Sequence, residues 1–282
     1  MSNAQPHESL PAMGSIRVGI GGWNYAPWRD NFYPRKWPQR RELEYASRQL
    51  DTIEINSTFY RAPAPAIYAK WRDETPEGFI FALKAPRYLT DRNRLADAGR
   101  SIAGFIDGGL AELGDRLGPI NWQLPLGLRF DPDDLARFLD LLPSQTGGLR
   151  LRHALEVRHP GFACEAYLEL ARSRGIATVF TDSPKQPSFA DATGGFIYAR
   201  LKGSVSPIPQ GYAAEALDQW AARARIWARG ADPSDLPHVG VVPKGSTKAR
   251  DAFIYFIGAA KERNPAAAMV LAANLRSADN EM

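Results

Sequence analysis

Short runs of β-branched and aromatic residues recur along this chain, and each run gives way to a helical pattern. The runs end at Trp23, Asn56, Lys84, Gln123, Arg158, Asp182 and Lys202, and a less regular eighth ends near Gly258. Strands that alternate with helices at this spacing predict a parallel sheet, and eight such units predict an α/β fold, a single (β/α)8 TIM-type barrel. In such barrels the working site lies at the carboxyl ends of the strands.

The chain has 282 residues, of which 44% are hydrophobic, enough for one large barrel core. We expect a disordered tail over residues 1–14, one barrel domain over 15–282 and an insertion at about 231–251. Either residues 238–242 or residues 252–257 supply the eighth strand. We favour the second segment, because Asn264-Pro265 then begins a final helix whose apolar residues are in register.

Charge and cysteine content limit the partners and the compartment that can be expected. The net charge of +4 comes from 35 basic and 31 acidic residues, so it is only a weak indication of an anionic partner. The single cysteine, Cys164, excludes an intramolecular disulfide and suits a cytoplasmic location. It shares helical spacing with Tyr167, Leu168 and Ala171, which predicts a small core residue. No apolar stretch approaches the ~18 residues of a membrane span, so no membrane association is expected.

Strand side chains alternate between two faces, and this parity predicts which polar residues share the barrel interior. Apolar residues such as Ile53, Ile55 and Leu155 suit the face that packs against helices. The alternate positions therefore point inward, and they hold Glu54, Asn56, Lys84, Gln123, Glu156, Arg158, Arg200 and Lys202.

Inward charges are costly unless they pair with each other or meet a ligand. With Asp182 at the end of strand six, the predicted set has three acids and four cations, which leaves a surplus of positive charge. Such a mouth suits a phosphate or a carboxylate. The alternative interpretation is that ion pairs, such as Glu54 with Lys84 or Glu156 with Arg200, simply close the top of the barrel.

Two loops add candidates beside these strands. The loop from Trp23 to Trp37 is rich in aromatic residues, which individually suit packing but together suit stacking on a flat ligand. His159 follows strand five, where it serves either as a loop hydrogen-bonding group or as an acid–base group.

The chain resembles the YecE-like family, the domain of unknown function 72. The resemblance rests on six segments in order: GIGGWNY at 19–25, EINSTFYR at 54–61, FALKAPR at 81–87, QLP at 123–125, EVRH at 156–159 and YAR at 198–200. It covers about residues 16–275 and implies a TIM-type barrel, in agreement with the strand pattern. It implies no settled activity.

The chain departs from the family pattern at three positions. Thr90-Asp91 stands where the family often has a Thr-His pair after strand three. Arg200-Leu201-Lys202-Gly203 stands where it often has Arg-x-His-Gly, and Ile257-Gly258 replaces a pair of asparagines after strand eight. These departures move the expected chemistry away from histidine and toward lysine and arginine.

The leading functional hypothesis is an enzyme that acts on a small anionic molecule. Glu54 or Glu156 would move protons, while Lys84, Arg200 and Lys202 would hold the anion and stabilise developing negative charge. As an alternative, Lys84 or Lys202 would form a Schiff base. The expected substrate-binding residues are Trp23, Asn56, Tyr60, Arg61, Gln123, Arg158, His159, Asp182, Arg200 and Lys202.

The sequence is compatible with two other functions. A nucleic-acid-processing or binding protein would use the aromatic loop together with Lys244, Lys248 and Arg250 of the insertion. A metal-dependent version would recruit Glu54, Glu156, His159 and Asp182, although no metal-binding motif is present and no metal residues are assigned. The other is a non-catalytic protein that binds an anionic metabolite. The sequence leaves the cofactor and the oligomeric state open.

Overall fold

The computed structural model describes residues 13–183, 187–241 and 248–279. Eight parallel strands close into a barrel in which sequential strands are neighbours and the last strand pairs with the first. Their bounds are β1 Ile16–Gly21, β2 Thr52–Ile55, β3 Ile80–Lys84, β4 Leu117–Gln123, β5 His153–Glu156, β6 Ala177–Thr181, β7 Phe196–Leu201 and β8 Asp251–Phe256. The predicted (β/α)8 TIM-type barrel is confirmed.

Helices surround the barrel between most pairs of strands. Their bounds are α1 Glu42–Gln49, α2 Pro65–Asp73, α3 Gly99–Ile106, α4 Pro132–Asp140, α5 Glu165–Ser173, α6 Ala214–Ala228 and α7 Asn264–Asp279. The predicted repeat is incomplete at one connection, because the described residues between β6 and β7 contain no helix. A two-residue hairpin, Gln145–Thr146 with Leu149–Arg150, precedes β5. None of the helices in the described ranges has the length and apolar character needed to span a bilayer.

The eighth strand is formed by the favoured segment, the one that directly precedes the final helix. Asp251–Phe256 pairs with β7 on one side and with β1 on the other, whereas residues 238–241 contain no strand. Of the predicted insertion, residues 231–241 and 248–250 are described and contain neither helix nor strand, and Lys244 lies outside the described residues. Of the predicted tail, only Met13 and Gly14 are described.

The second strand is shorter than its β-branched composition predicts. It ends at Ile55, and Ser57–Phe59 forms a 3-10 turn. The hydroxyl of Thr58 lies 3.0 Å from the carbonyl oxygen of Ile55 and 2.7 Å from that of Lys84. These two contacts bend the chain across the end of β3 and place the next residues over the barrel mouth.

Two helix boundaries coincide with residues that favour helix ends. Asp131 is the N-cap of α4, since its Oδ1 accepts the backbone N–H of Asp133 at 3.0 Å and that of Asp134 at 3.1 Å, and Pro132 is the first helical residue. Gly175 has φ of 63° just after α5, the left-handed conformation that favours glycine at a helix C-terminus.

Parity separates the apolar core into two layers. Residues such as Ile53, Leu83 and Trp122 face outward to the helices, and Trp122 meets Phe105 and Phe138 there at ring distances of 6.2 and 5.8 Å. The inward positions form a smaller buried cluster: Ile80, Ala82, Ala154, Ala177, Val179, Phe196, Tyr198, Phe253 and Tyr255. This cluster fills the barrel from its amino end and leaves the polar residues above it.

The spacing of Cys164 predicts a small core residue on a helix. The structure does not place it there. Tyr167, Leu168 and Ala171 are buried on α5, but Cys164 precedes the helix as its N-cap and is only half-buried. Its sulfur lies 3.6 Å from the carbonyl oxygen of Gly161 and caps no helical N–H. The helical stripe therefore begins one turn later than the pattern indicates.

Candidate active site at the barrel mouth

Arg200 lies at the centre of the polar layer. It projects inward from β7, and its Nη1 donates to the two carboxylate oxygens of Glu156 at 2.8 and 2.7 Å. Its Nη2 donates to Oε1 of Glu54 at 3.1 Å. Burial opposes the charge on Arg200, but the two carboxylates outweigh burial and raise the pKa of the guanidinium. This cation and the two acids form a buried ionic cluster beneath the mouth.

Glu156 accepts hydrogen bonds from four described side chains. Besides Arg200, its oxygens accept from Asn121 Nδ2 at 3.1 Å, Gln123 Nε2 at 2.8 Å and Lys202 Nζ at 3.3 Å. Burial alone would raise the pKa of Glu156, but the charges of Arg200, Lys202 and Lys84 hold it well below its usual range. Glu156 therefore stays ionised and is suited to positioning cations.

Glu54 connects this ionic cluster to the aromatic interior of the barrel. Its Oε2 accepts the phenol hydroxyl of Tyr198 at 2.6 Å, and the Tyr198 ring lies 5.0 Å from that of Tyr255. The hydroxyl of Tyr255 is 2.9 Å from that of Thr52. Burial and the nearby Glu54 raise the pKa of Tyr198, which keeps its hydroxyl protonated as a donor. Glu54 is fully buried and lies beneath the open part of the mouth.

Lys84 occupies a different environment at the end of β3. Its Nζ donates to Oε1 of Gln123 at 3.1 Å and lies 4.0 Å from the centre of the Phe59 ring. Among the described residues no carboxylate lies within ion-pair distance of this ammonium, although only 7% of the residue is exposed. Burial and the charge of Arg200 lower the pKa of Lys84 to about 8. Lys84 can therefore exchange a proton near neutral pH.

Two more cations lie beside this lysine. Lys202 bonds to Glu156, and burial lowers its pKa in spite of that carboxylate. Arg158 is half-buried, and its Nε is buried without a hydrogen-bond partner in the described structure. Arg158 follows the end of β5 by two residues, and its positive charge contributes to lowering the pKa of Lys84 and that of Lys202.

Asp182 shapes the loop after β7. Its carboxylate accepts the backbone N–H groups of Lys202 and Gly203, the second at 3.3 Å, and the hydroxyl of Tyr212 at 3.4 Å. Burial raises the pKa of Asp182 despite these donors. Its contacts fix the backbone from which Lys202 projects, so the structure gives Asp182 a positioning role for that side chain.

A cavity of about 440 Å³ opens at this mouth. Its walls are Gly21, Asn56, Phe59, Tyr60, Lys84, Gln123, Phe256, Ile257, Gly258, Lys261 and Asn264. Asn56, Tyr60, Lys84 and Gln123 were expected from the sequence. Lys261 was not, because it follows β8 in a 3-10 turn that has no alternating pattern; its Nζ lies 4.3 Å from the Tyr25 ring. Asn264, expected only as a helix cap, accepts from the hydroxyl of Ser204 at 2.9 Å and from Gly258 N at 3.3 Å.

Of the other expected residues, Arg158, Asp182, Arg200 and Lys202 do not line this cavity but follow or belong to the strands of the polar layer. Three expected site residues lie away from that layer. Trp23 turns toward the helices, where its ring centre is 5.4 Å from that of Trp71 and 6.2 Å from that of Phe81. Arg61 is exposed and lies outside the cavity wall. His159 caps its own loop, since its Nδ1 accepts the N–H of Gly161 at 3.0 Å.

The aromatic loop does not form the flat stacking surface that was considered. Trp28, Phe32 and Tyr33 are buried and pack on one another, with ring distances of 6.2 Å between Trp28 and Phe32 and 4.8 Å between Phe32 and Tyr33. The proposed metal ligands do not converge either: within the described ranges, no group of three or more His, Cys, Asp or Glu side chains could hold a metal ion.

A second cavity of about 550 Å³ lies at the opposite end of the barrel. Arg150, Arg152 and Arg174 line it, together with the amino ends of β5 and β7. Arg152 pairs with Asp251 at 3.3 Å and lies 4.8 Å from the Phe253 ring, so it closes the bottom of the barrel. Because barrel chemistry occurs at the carboxyl ends of the strands, the mouth is the stronger candidate despite its smaller cavity.

Known proteins share both sequence and fold with this chain. UPF0759 protein YecE of Escherichia coli K12 is 27% identical over 164 residues, which are 57% of this chain and 55% of YecE, so the match spans about half of that relative. UPF0759 protein YunF of Bacillus subtilis is 32% identical over 79 residues, 28% of this chain and 27% of YunF. A crystal structure of a DUF72 family protein from Thermotoga maritima has a TM-score of 0.69 at 19% identity, and the alignment covers 94% of this chain and 99% of that one.

The family assignment covers almost the whole barrel. Residues 17–282 match the family described as "Protein of unknown function DUF72". That range includes all eight strands apart from Ile16 and contains every residue of the mouth. The chain belongs to the DUF72, YecE-like family of TIM-barrel proteins.

Proposed function

We propose that this protein is an enzyme that binds a small molecule bearing a phosphate or carboxylate group at the carboxyl-end mouth of the barrel. The observation that carries the proposal is Lys84, which lies in the cavity wall with no carboxylate partner in the described structure, together with Arg158, whose Nε is buried in that structure without a hydrogen-bond partner. A buried cation without a counter-ion is costly, and an anionic ligand would offset that cost.

The charges of the site are divided between two levels. Below, Arg200 is neutralised by Glu54 and Glu156. Above, Lys202 donates to Oε1 of Glu156 at 3.3 Å, whereas Lys84 donates to the neutral amide of Gln123, and the carboxylate of Asp182 accepts backbone N–H groups. The upper level therefore has the surplus of positive charge that a ligand anion would balance.

Lys84 is the group best suited to a chemical role. A general acid or base works best when its pKa lies near the operating pH, and a lysine with a pKa of about 8 meets that condition. Glu54 and Glu156, expected from sequence as proton carriers, support this role indirectly by holding Arg200 and Gln123 in place. The single cysteine is consistent with work in the cytoplasm, which we propose as the compartment.

Isothermal titration calorimetry with inorganic phosphate and citrate tests the anion site. Arg158→Ala and Lys202→Ala should each weaken binding by about 1.5–3 kcal/mol, the range for a hydrogen bond to a charged group. The matched control is Lys248→Ala, an exposed cation in the segment before β8, which should bind as the wild type does. The proposal fails if neither anion binds, or if the control loses as much affinity as the mouth variants.

A second candidate function rests on the rim of the mouth. Tyr60 and Tyr88 are 80% and 50% exposed, and each lies beside an exposed arginine, Arg61 and Arg87. Exposed aromatic rings next to arginines can stack on the bases of a single-stranded nucleic acid. Binding of a fluorescent oligonucleotide that weakens steeply with added salt, and is lost in Tyr60→Ala, would favour this function over a small-molecule enzyme.

A further inference from the structure

We propose that Lys84 forms an imine with the carbonyl group of a small oxo compound, whose phosphate or carboxylate lies beside Arg158 and Lys202. This inference rests on the proposed function and specifies its substrate class: aldehydes or ketones that also carry an anionic group. It is carried by the position of Lys84 Nζ in the cavity wall, where its polar partner is a neutral amide.

The hydrogen-bond network leaves the lysine nitrogen available for attack. Gln123 donates from Nε2 to Glu156 at 2.8 Å, so its amide oxygen is directed to Lys84. A neutral amine that donates one N–H to this oxygen keeps its lone pair for another direction. The Phe59 ring, 4.0 Å from Nζ, covers one side of the amine, and the cavity provides the remaining approach.

The environment also favours the neutral amine, which is the nucleophilic form. Burial acts most strongly, the cations Arg200 and Arg158 act in the same direction, and the carboxylates Glu54 and Glu156 oppose them. With a pKa of about 8, roughly a tenth of the molecules carry a neutral Lys84 at pH 7. A carboxylate at ion-pair distance would favour the protonated amine, and Glu156, 3.3 Å from Lys202, opposes the effect of burial there in this way.

The reaction needs no other reagent. The lone pair of Nζ forms a bond to the carbonyl carbon while the C–O π bond breaks, and a proton passes from nitrogen to oxygen to give a carbinolamine. The hydroxyl group then takes a proton from bulk water and leaves as water, while the C=N bond forms. The product is the protonated iminium, which withdraws electrons from the adjacent carbon, so an acidic C–H or a C–C bond there becomes easier to break.

The substrate would be oriented by the separation of its two functional groups. Lys202 is linked to Lys84 through two side chains, since Glu156 accepts from both Lys202 and Gln123, and Gln123 accepts from Lys84. Arg158 lies two residues after Glu156, beyond the end of the same strand. An anionic group held by Arg158 and Lys202 therefore leaves the opposite end of a short molecule directed to Lys84. The cavity of about 440 Å³ accommodates such compounds and molecules as large as pyridoxal 5′-phosphate.

Reductive trapping tests the inference on the full chain. The protein is mixed with glyoxylate or pyridoxal 5′-phosphate, reduced with sodium borohydride, digested and analysed by peptide mass spectrometry. We expect the reduced adduct on Lys84 at an occupancy at least tenfold above that on Lys70, an exposed lysine of α2. Inorganic phosphate should protect Lys84, and Lys202→Ala should reduce labelling of Lys84 at low probe concentration.

Two variants keep the result interpretable. Lys84→Met should abolish the adduct without moving it to Lys261, which lies in the same cavity wall. Lys84→Arg keeps the charge and should still bind phosphate in calorimetry while forming no adduct. Equal labelling of Lys84 and Lys70, or preferred labelling of Lys261, overturns the inference. If phosphate binds but Lys84 is not labelled, the imine is wrong and the anion site stands; if phosphate does not bind either, both fail.

Discussion

Arg200 donates from a single nitrogen to both carboxylate oxygens of Glu156, at 2.7 and 2.8 Å, and both side chains are buried. Its other terminal nitrogen holds Glu54. One guanidinium thus neutralises two acids that come from strands on different sides of the barrel. The arrangement links β2, β5 and β7 through charge as well as through the sheet.

Replacing Arg200 should therefore affect stability before it affects ligand affinity. In Arg200→Met, Glu54 and Glu156 remain buried without the guanidinium that neutralises them. Loss of one partner from a buried ionic pair lowers the free energy of unfolding by about 3–5 kcal/mol. Urea denaturation measures this change in the free energy of unfolding. Lys70→Ala, which removes a mostly exposed pair with Glu74, should cost at most about 0.5 kcal/mol. A loss below about 1 kcal/mol in Arg200→Met would contradict the central position of this residue.

Lys84 should reduce the stability of the folded protein at neutral pH. Its folded pKa of about 8 lies below the ordinary lysine pKa of 10.5, so between these values the unfolded chain binds the proton that the folded chain has lost. Stability of the wild type therefore rises with pH across this window, and the full penalty is present below pH 8. Lys84→Met removes the penalty and should gain up to about 3 kcal/mol below pH 8, at about 1.4 kcal/mol per pKa unit.

The gain in Lys84→Met should disappear as the pH approaches 10.5. Urea denaturation of both proteins at intervals from pH 6 to pH 10 measures the difference. Lys70→Met serves as the control, because Lys70 is on an exposed face of α2 and should follow the wild type throughout. A difference that is constant with pH would mean that Lys84 is not desolvated in solution.

Cys164 provides a test of helix capping. As the N-cap of α5 it has extended backbone angles, φ −148° and ψ 154°, but caps no N–H group. A serine there can accept a hydrogen bond from the first turn, whereas an alanine cannot, so Cys164→Ser should exceed Cys164→Ala in stability by about 1 kcal/mol. Thermal unfolding of the two variants checks the difference. Equal stabilities would show that the helix begins later than residue 165.

Strand parity predicted the inner polar layer because the sheet imposes a strict period of two. Glu54, Glu156 and Arg200 all lie where alternation with apolar residues placed them. Parity does not decide how deep a side chain lies or which partner it chooses. Arg200 was expected at the ligand, but the two carboxylates retain it below the mouth. The alternative interpretation paired Lys84 with Glu54, but Lys84 instead meets Gln123 and Phe59.

Residues beyond the strand ends were harder to predict. Gly22, which lies between β1 and Trp23, has a positive φ of 74°. The turn at Gly22 directs the Trp23 ring to the helices. Lys261 enters the mouth from a 3-10 turn that no sequence period marks. Both positions depend on loop conformation, which alternation of apolar and polar residues does not encode.

The close approach of two loops at the mouth gives a final prediction. At Gly258 an added Cβ would lie 1.8 Å from Oγ of Ser204 and 2.8 Å from its Cβ, so only glycine fits there. Gly258→Ala should push Ser204 away from Asn264, break their 2.9 Å hydrogen bond and cost about 1–3 kcal/mol of stability, as overpacking does. It should also weaken phosphate binding, because Gly258 and Asn264 line the cavity.

Gly127→Ala is the matched control, since an added Cβ there meets no atom within 4 Å and should leave stability and phosphate affinity nearly unchanged. The double variant Ser204→Gly with Gly258→Ala removes the two nearest clashing atoms, although the Ser204 backbone nitrogen remains 3.0 Å away. It should recover part of the stability but not the hydrogen bond to Asn264. Chemical denaturation and phosphate titration of all three proteins separate these effects. If Gly258→Ala behaves as Gly127→Ala does, the loops after β7 and β8 are farther apart than this structure places them, and the cavity is wider.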